Sequence, residues 1–122
     1  MPPSAPPTRL PDPHKQPAAQ RVLIVEDNAD GRDALVQLVR RTGHTCESAS
    51  NRAEALAILI SRPPDAIVLD LMLPDGSGLE VLRLVGTHHF PVRVAVVTAA
   101  SDPQLLAEAR RLKPDALFRK PV

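Results

Sequence analysis

Val22-Leu23-Ile24-Val25-Glu26-Asp27 is a run of apolar residues that ends on two adjacent carboxylates. A segment apolar at every position, without alternation, reads as a strand buried on both faces, as in the middle of a parallel sheet. The same design recurs downstream. Ala66-Ile67-Val68-Leu69 runs into Asp70, Val94-Ala95-Val96-Val97 into Thr98, and Ala116-Leu117-Phe118 through Arg119 into Lys120. Helical patterns separate these runs, so the chain reads as βα units around a parallel sheet. Ligands bind such sheets at the carboxyl ends of the strands. Glu26, Asp27, Asp70, Thr98 and Lys120 are therefore expected at one point, although they lie too far apart in sequence to form a local motif.

Carboxylates held that close repel one another, and a hard divalent cation with oxygen ligands relieves the repulsion. Because they are adjacent, Glu26 and Asp27 can divide the work, one binding metal directly and the other through water. A lysine and a threonine beside them suit a phosphoryl group better than a bare metal. Asp70 is the natural nucleophile, since its carboxylate can attack phosphorus and become an acyl phosphate. Lys120 then supplies a point charge to the phosphoryl oxygens, and Thr98 a hydroxyl donor.

The chain has 122 residues, which suits one domain with one core. Its 15 basic and 14 acidic residues leave a net charge of +1, a balance that points to no charged partner. Phe90 and Phe118 are its sole aromatics, too few for a single-strand stacking platform, so no nucleic acid is expected. Arg110-Arg111-Lys113 reads as a solvated helix face. The lone Cys46 excludes an internal disulfide and fits a reducing compartment. No apolar run approaches membrane-spanning length and no signal-peptide core is present, so a soluble, cytoplasmic protein is expected. His88-His89, with no carboxylate or Cys beside them, read as exposed loop residues rather than a metal pair.

Residues 1–20 contain half of the chain's 14 prolines and no hydrophobic periodicity, and are expected to form an extended, disordered arm. The folded domain is expected over residues 21–122. Leu35, Leu38, Val39 and Thr42 recur at helical spacing, with Gly43 as the stop. His44 to Ala49 reads as an edge strand. Asn51 with Glu54 forms a capping box for a helix ended by Pro63-Pro64. Leu71 to Ser77 reads as a loop, followed by a short helix from Leu79 to Val85. Ser101 with Gln104 forms a second capping box for a helix reaching Leu112. The count is five strands and four helices in strict alternation.

These residues resemble the receiver domain of two-component response regulators. Val22 to Asn28 is similar to the family's first strand and acidic pair. Asp70-Leu71-Met72-Leu73-Pro74-Asp75-Gly76-Ser77-Gly78 is similar to its phosphoacceptor loop, and Thr98-Ala99-Ala100 and Lys120-Pro121 to its two remaining signatures. The resemblance implies an α/β, flavodoxin-like, doubly wound sheet with strand order 2-1-3-4-5. It implies Mg²⁺ held by Asp27, Asp70 and the backbone carbonyl of Met72, with Glu26 acting through water. It implies a histidine kinase or phosphotransfer protein as donor, a cis Lys120–Pro121 bond, and a signalling module that switches conformation rather than a turnover enzyme. An adaptor that works without phosphorylation is the alternative. An aspartyl-nucleophile phosphatase is a poorer one, because Met72 stands where its general acid is expected.

Two departures stand out. The family usually carries an aromatic where this chain has Leu117. The fifth helix that usually follows the last strand and packs beside the first helix is expected to be lacking, since two residues follow Lys120 in this sequence. Part of an apolar sheet face is then expected to lie open, with Phe118 in it, because strand alternation sets Phe118 opposite Leu117. A symmetric homodimer through that face is expected, the alternatives being a partner protein or a shortened form of a longer regulator.

Overall fold

The structure is a computed structural model that describes residues 19–120. The expected proline-rich arm lies almost wholly outside the described residues. So does Pro121, and with it the expected cis bond.

Among the described residues, seven strands and four helices follow one another: β1 (Arg21–Val25), α1 (Ala29–Arg41), β2 (Thr45–Ala49), α2 (Arg52–Ser61), β3 (Ala66–Leu69), β4 (Met72–Leu73), β5 (Gly76–Ser77), α3 (Leu79–Thr87), β6 (Arg93–Thr98), α4 (Pro103–Arg111) and β7 (Ala116–Arg119). Five of the strands form one parallel sheet in the order β2-β1-β3-β6-β7, the expected 2-1-3-4-5 of a flavodoxin-like fold. The expected loop after Asp70 is more ordered than its turn-rich composition suggests. Met72 pairs with Ser77 and Leu73 with Gly76, closing a small antiparallel hairpin around Pro74-Asp75.

Alternation along the strands sorts the side chains into two layers. Leu23, Val25, Ile67, Leu69, Val94 and Val96 meet Ala55 and Leu59 of α2, Val81 and Leu82 of α3, and Leu106 and Ala109 of α4. Full burial of a leucine such as Leu59 or Leu69 contributes about 1.5–3 kcal/mol. Leu117 packs against this layer. The opposite face carries Val22 and Ile24, with Val68, Ala95, Ala116 and Phe118 in register beyond them. Among the described residues, α1 covers that face above β1 and β2. Val68, Ala95 and Ala116 are half-buried, and Phe118 is 50% exposed, as expected from its position opposite Leu117.

That arrangement corrects the reading of α1. Leu38 was expected on a core stripe but is 59% exposed, and no residue of α1 is fully buried. The caps of α4 and, in part, α2 also differ. Asn28 opens α1 by accepting the Gly31 N–H at 2.9 Å. Asp102, not Ser101, opens α4 by accepting the Gln104 N–H at 3.0 Å, with Pro103 in the first turn where its missing N–H costs nothing. The Asn51 cap is as expected, but Glu54 returns its carboxylate to Ser50 and the Asn51 side chain rather than to the Asn51 N–H. α1 ends at Gly43, whose φ of +90° lies in the left-handed region that favours glycine.

Candidate functional site

Glu26, Asp70 and Lys120 each stand one step beyond a strand, where the backbone ladder still holds them, while Thr98 is the last residue of β6 and Asp27 lies two steps past β1. The Glu26 N–H donates to the Ala49 carbonyl at 3.1 Å, the Asp70 N–H to the Val25 carbonyl at 3.0 Å, and the Lys120 N–H to the Thr98 carbonyl at 2.8 Å. The parallel register therefore delivers Glu26, Asp70, Thr98 and Lys120 to one edge of the sheet as backbone-anchored groups rather than as loop residues.

Three carboxylates converge there. Glu26, Asp27 and Asp70 each place an oxygen within 4.8 Å of the other two. Glu26 and Asp70 are buried, Asp27 is exposed, and Thr98 is fully buried. Lys120 reaches in from the last strand, with Nζ 2.8 Å from Glu26 Oε2 and 3.1 Å from Asp70 Oδ2. Burial pushes the Glu26 carboxyl up, the Lys120 hydrogen bond offsets part of that, and Asp70 adds to it. Burial works against the Lys120 ammonium, but its bonds to Glu26 and Asp70 outweigh this and hold its pKa above the usual lysine value. The donors are all hard oxygens, and a single ammonium faces three carboxylates, so the residues present fit a hard divalent cation. Met72 is 57% exposed and its N–H donates to Asp70 Oδ1 at 3.0 Å, which sets its backbone beside the Asp70 carboxylate.

The Thr98 hydroxyl oxygen accepts the Ala100 N–H at 3.1 Å, and its own proton meets no acceptor among the described residues. Sequence reasoning missed Arg32, whose Nη1 donates to the backbone carbonyls of Glu26 at 2.9 Å and Asp27 at 3.3 Å. It holds the acidic pair from the first turns of α1, and only its closeness in sequence hinted at this. Gly78 was also missed. A Cβ there would collide with the Asp70 carbonyl oxygen and come within 3.0 Å of Leu71 Cα, so α3 can begin that close to Asp70 only without a side chain. His88 and His89 lie apart from this site on the α3–β6 loop, both exposed, with the His88 ring 5.8 Å from Phe90. Burial pushes the Cys46 thiol up, which marks it as an ordinary structural residue rather than a reactive thiolate. No helix among the described residues is long and apolar enough to cross a membrane.

Known proteins resemble this chain in sequence and fold. The phosphate regulon transcriptional regulatory protein PhoB of Pseudomonas aeruginosa is 30% identical over 102 residues, which cover 82% of this chain and 44% of that protein. The chain thus spans less than half of that relative's length. Sporulation initiation phosphotransferase F of Bacillus subtilis is 28% identical over 102 residues, covering 84% of this chain and 82% of its own. Among solved structures, a CheY-like response regulator receiver domain protein from Methanospirillum hungatei superposes with a TM-score of 0.80 at 26% identity, over 86% of this chain and 84% of its own. The family model for the response regulator receiver domain matches residues 22–122, nearly the whole sheet and every candidate side chain, and the chain belongs to that family.

Proposed function

We infer that the chain accepts a phosphoryl group on Asp70 from the phosphohistidine of a sensor kinase or phosphotransfer protein. The observation that carries this reading is the meeting of Glu26, Asp27 and Asp70 with one compensating ammonium at the carboxyl end of the sheet. An Asp70 carboxylate oxygen attacks phosphorus, the bond to the donor nitrogen breaks, and that nitrogen leaves with the electron pair. The product is an acyl phosphate on Asp70. Lys120 moves its ammonium toward the incoming phosphoryl oxygens, and the Thr98 hydroxyl proton is available to a phosphoryl oxygen that approaches β6. Asp27, Asp70 and the Met72 carbonyl would hold Mg²⁺, with Glu26 acting through water. Bound there, Mg²⁺ supplies positive charge against the phosphoryl oxygens. The similarity to a protein named a phosphotransferase over most of its length supports the same chemistry.

The half-open sheet face supports a second partner, another copy of this chain. Val68, Ala95, Ala116 and Phe118 bring no charge to it. Arg93 shares this face at the start of β6, so pairing about a two-fold axis centres on the uncharged patch. Light scattering after size exclusion measures this directly, and a monomer at micromolar concentration refutes the dimer.

The phosphoacceptor reading is tested with acetyl phosphate and Mg²⁺. The chain should acquire a hydroxylamine-labile phosphoryl label, and Asp70→Asn should acquire none. A variant that labels as well as the parent removes Asp70 as the acceptor. A label resistant to hydroxylamine, or steady turnover of a phosphoester, counts against the phosphoacceptor reading.

A further inference from the structure

The N–H groups of Arg52, Ala53 and Glu54 open α2 and have no partner inside the helix. Asn51 Oδ1 accepts the last of them at 2.8 Å. The other two go to a residue from elsewhere in the chain: Asp75 Oδ1 accepts the Arg52 N–H at 2.7 Å, and Asp75 Oδ2 accepts the Ala53 N–H at 2.9 Å. Asp75 stands at the tip of the β4–β5 hairpin, and its carboxylate faces the positive end of the α2 dipole. These backbone donors hold the Asp75 carboxyl below the usual carboxylate range.

The Arg52 side chain then crosses the hairpin. Its Nη1 lies 2.6 Å from Glu80 Oε1 at the start of α3, and a Cβ on Gly76 would sit 2.8 Å from that same nitrogen. The hairpin is thus clamped between the first turns of two helices. Its open end is the phosphoacceptor loop, where the Met72 N–H donates to Asp70 Oδ1 at 3.0 Å and the Gly78 N–H donates to the Leu71 carbonyl at 2.8 Å. A two-residue ladder has little stability of its own, so its position follows whatever it is tied to.

We propose that Asp75 is a positioning residue for the phosphoacceptor site, fixing the Met72 carbonyl and the Asp70 carboxylate by tying the hairpin tip to α2. The proposal rests on the phosphoacceptor reading above. It also makes α2 responsive to the state of the loop, because moving the hairpin uncaps the helix.

The test compares Asp75→Ala with Asn51→Ala in the full chain. Both remove a capping acceptor from the same helical turn, but only the first unties the hairpin. Met72 and Gly78 should lose amide-exchange protection in Asp75→Ala and keep it in Asn51→Ala. The Mg²⁺ concentration for half-maximal labelling by acetyl phosphate should rise roughly tenfold in Asp75→Ala alone, the scale of losing a group that orients a metal ligand. Asp75→Asn keeps the size of the side chain and one acceptor oxygen, and should fall between Asp75→Ala and the parent. Retained protection in Asp75→Ala, equal losses in both alanine variants, or an unchanged Mg²⁺ requirement overturns the proposal. A parent chain that never labels overturns the phosphoacceptor reading instead, and the exchange measurement then decides the tie alone.

Discussion

Lys120 and Glu26, 94 residues apart, meet through a 2.8 Å contact between Nζ and Oε2, and the same ammonium lies 3.1 Å from Asp70. The last strand thereby neutralises part of the charge that the first and third strands bring together. An ammonium and a divalent cation answer the same repulsion, which makes them competitors for the same oxygens.

Lys120→Met should accordingly bind Mg²⁺ more tightly than the parent while labelling more slowly, because the charge that meets the phosphoryl oxygens is gone. Without Mg²⁺ the variant should be less stable by about 1–3 kcal/mol, the cost of leaving a buried polar group unpaired. Thermal shift across a Mg²⁺ titration reads both effects. Equal Mg²⁺ affinity in the two proteins would contradict the competition.

The same pair gives an alkaline limb to stability. The Lys120 pKa is raised above its ordinary 10.5, so its contribution is fully present below that value and is lost as pH rises through the folded-state pKa. The chain has no tyrosine to titrate in this range. Denaturant unfolding above about pH 10.5 should show a decline that Lys120→Met lacks. Cys46 also ionises on the alkaline side but is common to both proteins, so the difference isolates Lys120.

Gly78→Ala should displace the backbone at Asp70 and Leu71, because a Cβ there meets the Asp70 carbonyl. Overpacking of this kind costs about 1–3 kcal/mol, and labelling of Asp70 should fall with it. The control is Gly86→Ala, where no atom lies within 4 Å of an added Cβ, and it should remain close to the parent in both measurements. Parent-like labelling in Gly78→Ala would mean that the loop relaxes without moving the acceptor.

Phe118→Glu should dissociate the expected dimer without unfolding the chain, since the ring is 50% exposed. Sedimentation would read the change in mass, and circular dichroism the retained fold. A dimer that survives the substitution must use another surface.

The five strands and the strand-end site were legible in the sequence because they rest on local signals, whereas the strand order followed from the family resemblance. Unbroken apolar runs mark buried parallel strands, and the polar residue after each run falls at the sheet's carboxyl edge whatever its neighbours are. Glu26, Asp27, Asp70, Thr98 and Lys120 could be named for that reason. What the sequence left open depends on atoms distant in the chain. Leu38 has the spacing of a core residue, but only the sheet decides which side of α1 is covered. Asp75 reads as a turn former, and nothing nearby says that the bare N–H groups of Arg52 and Ala53 will complete it. Gly78 looks like any loop glycine until the Asp70 carbonyl occupies the space where its Cβ would be. Periodicity is a property of neighbours along the chain, whereas capping, close approach and exposure are settled by which elements the fold sets side by side.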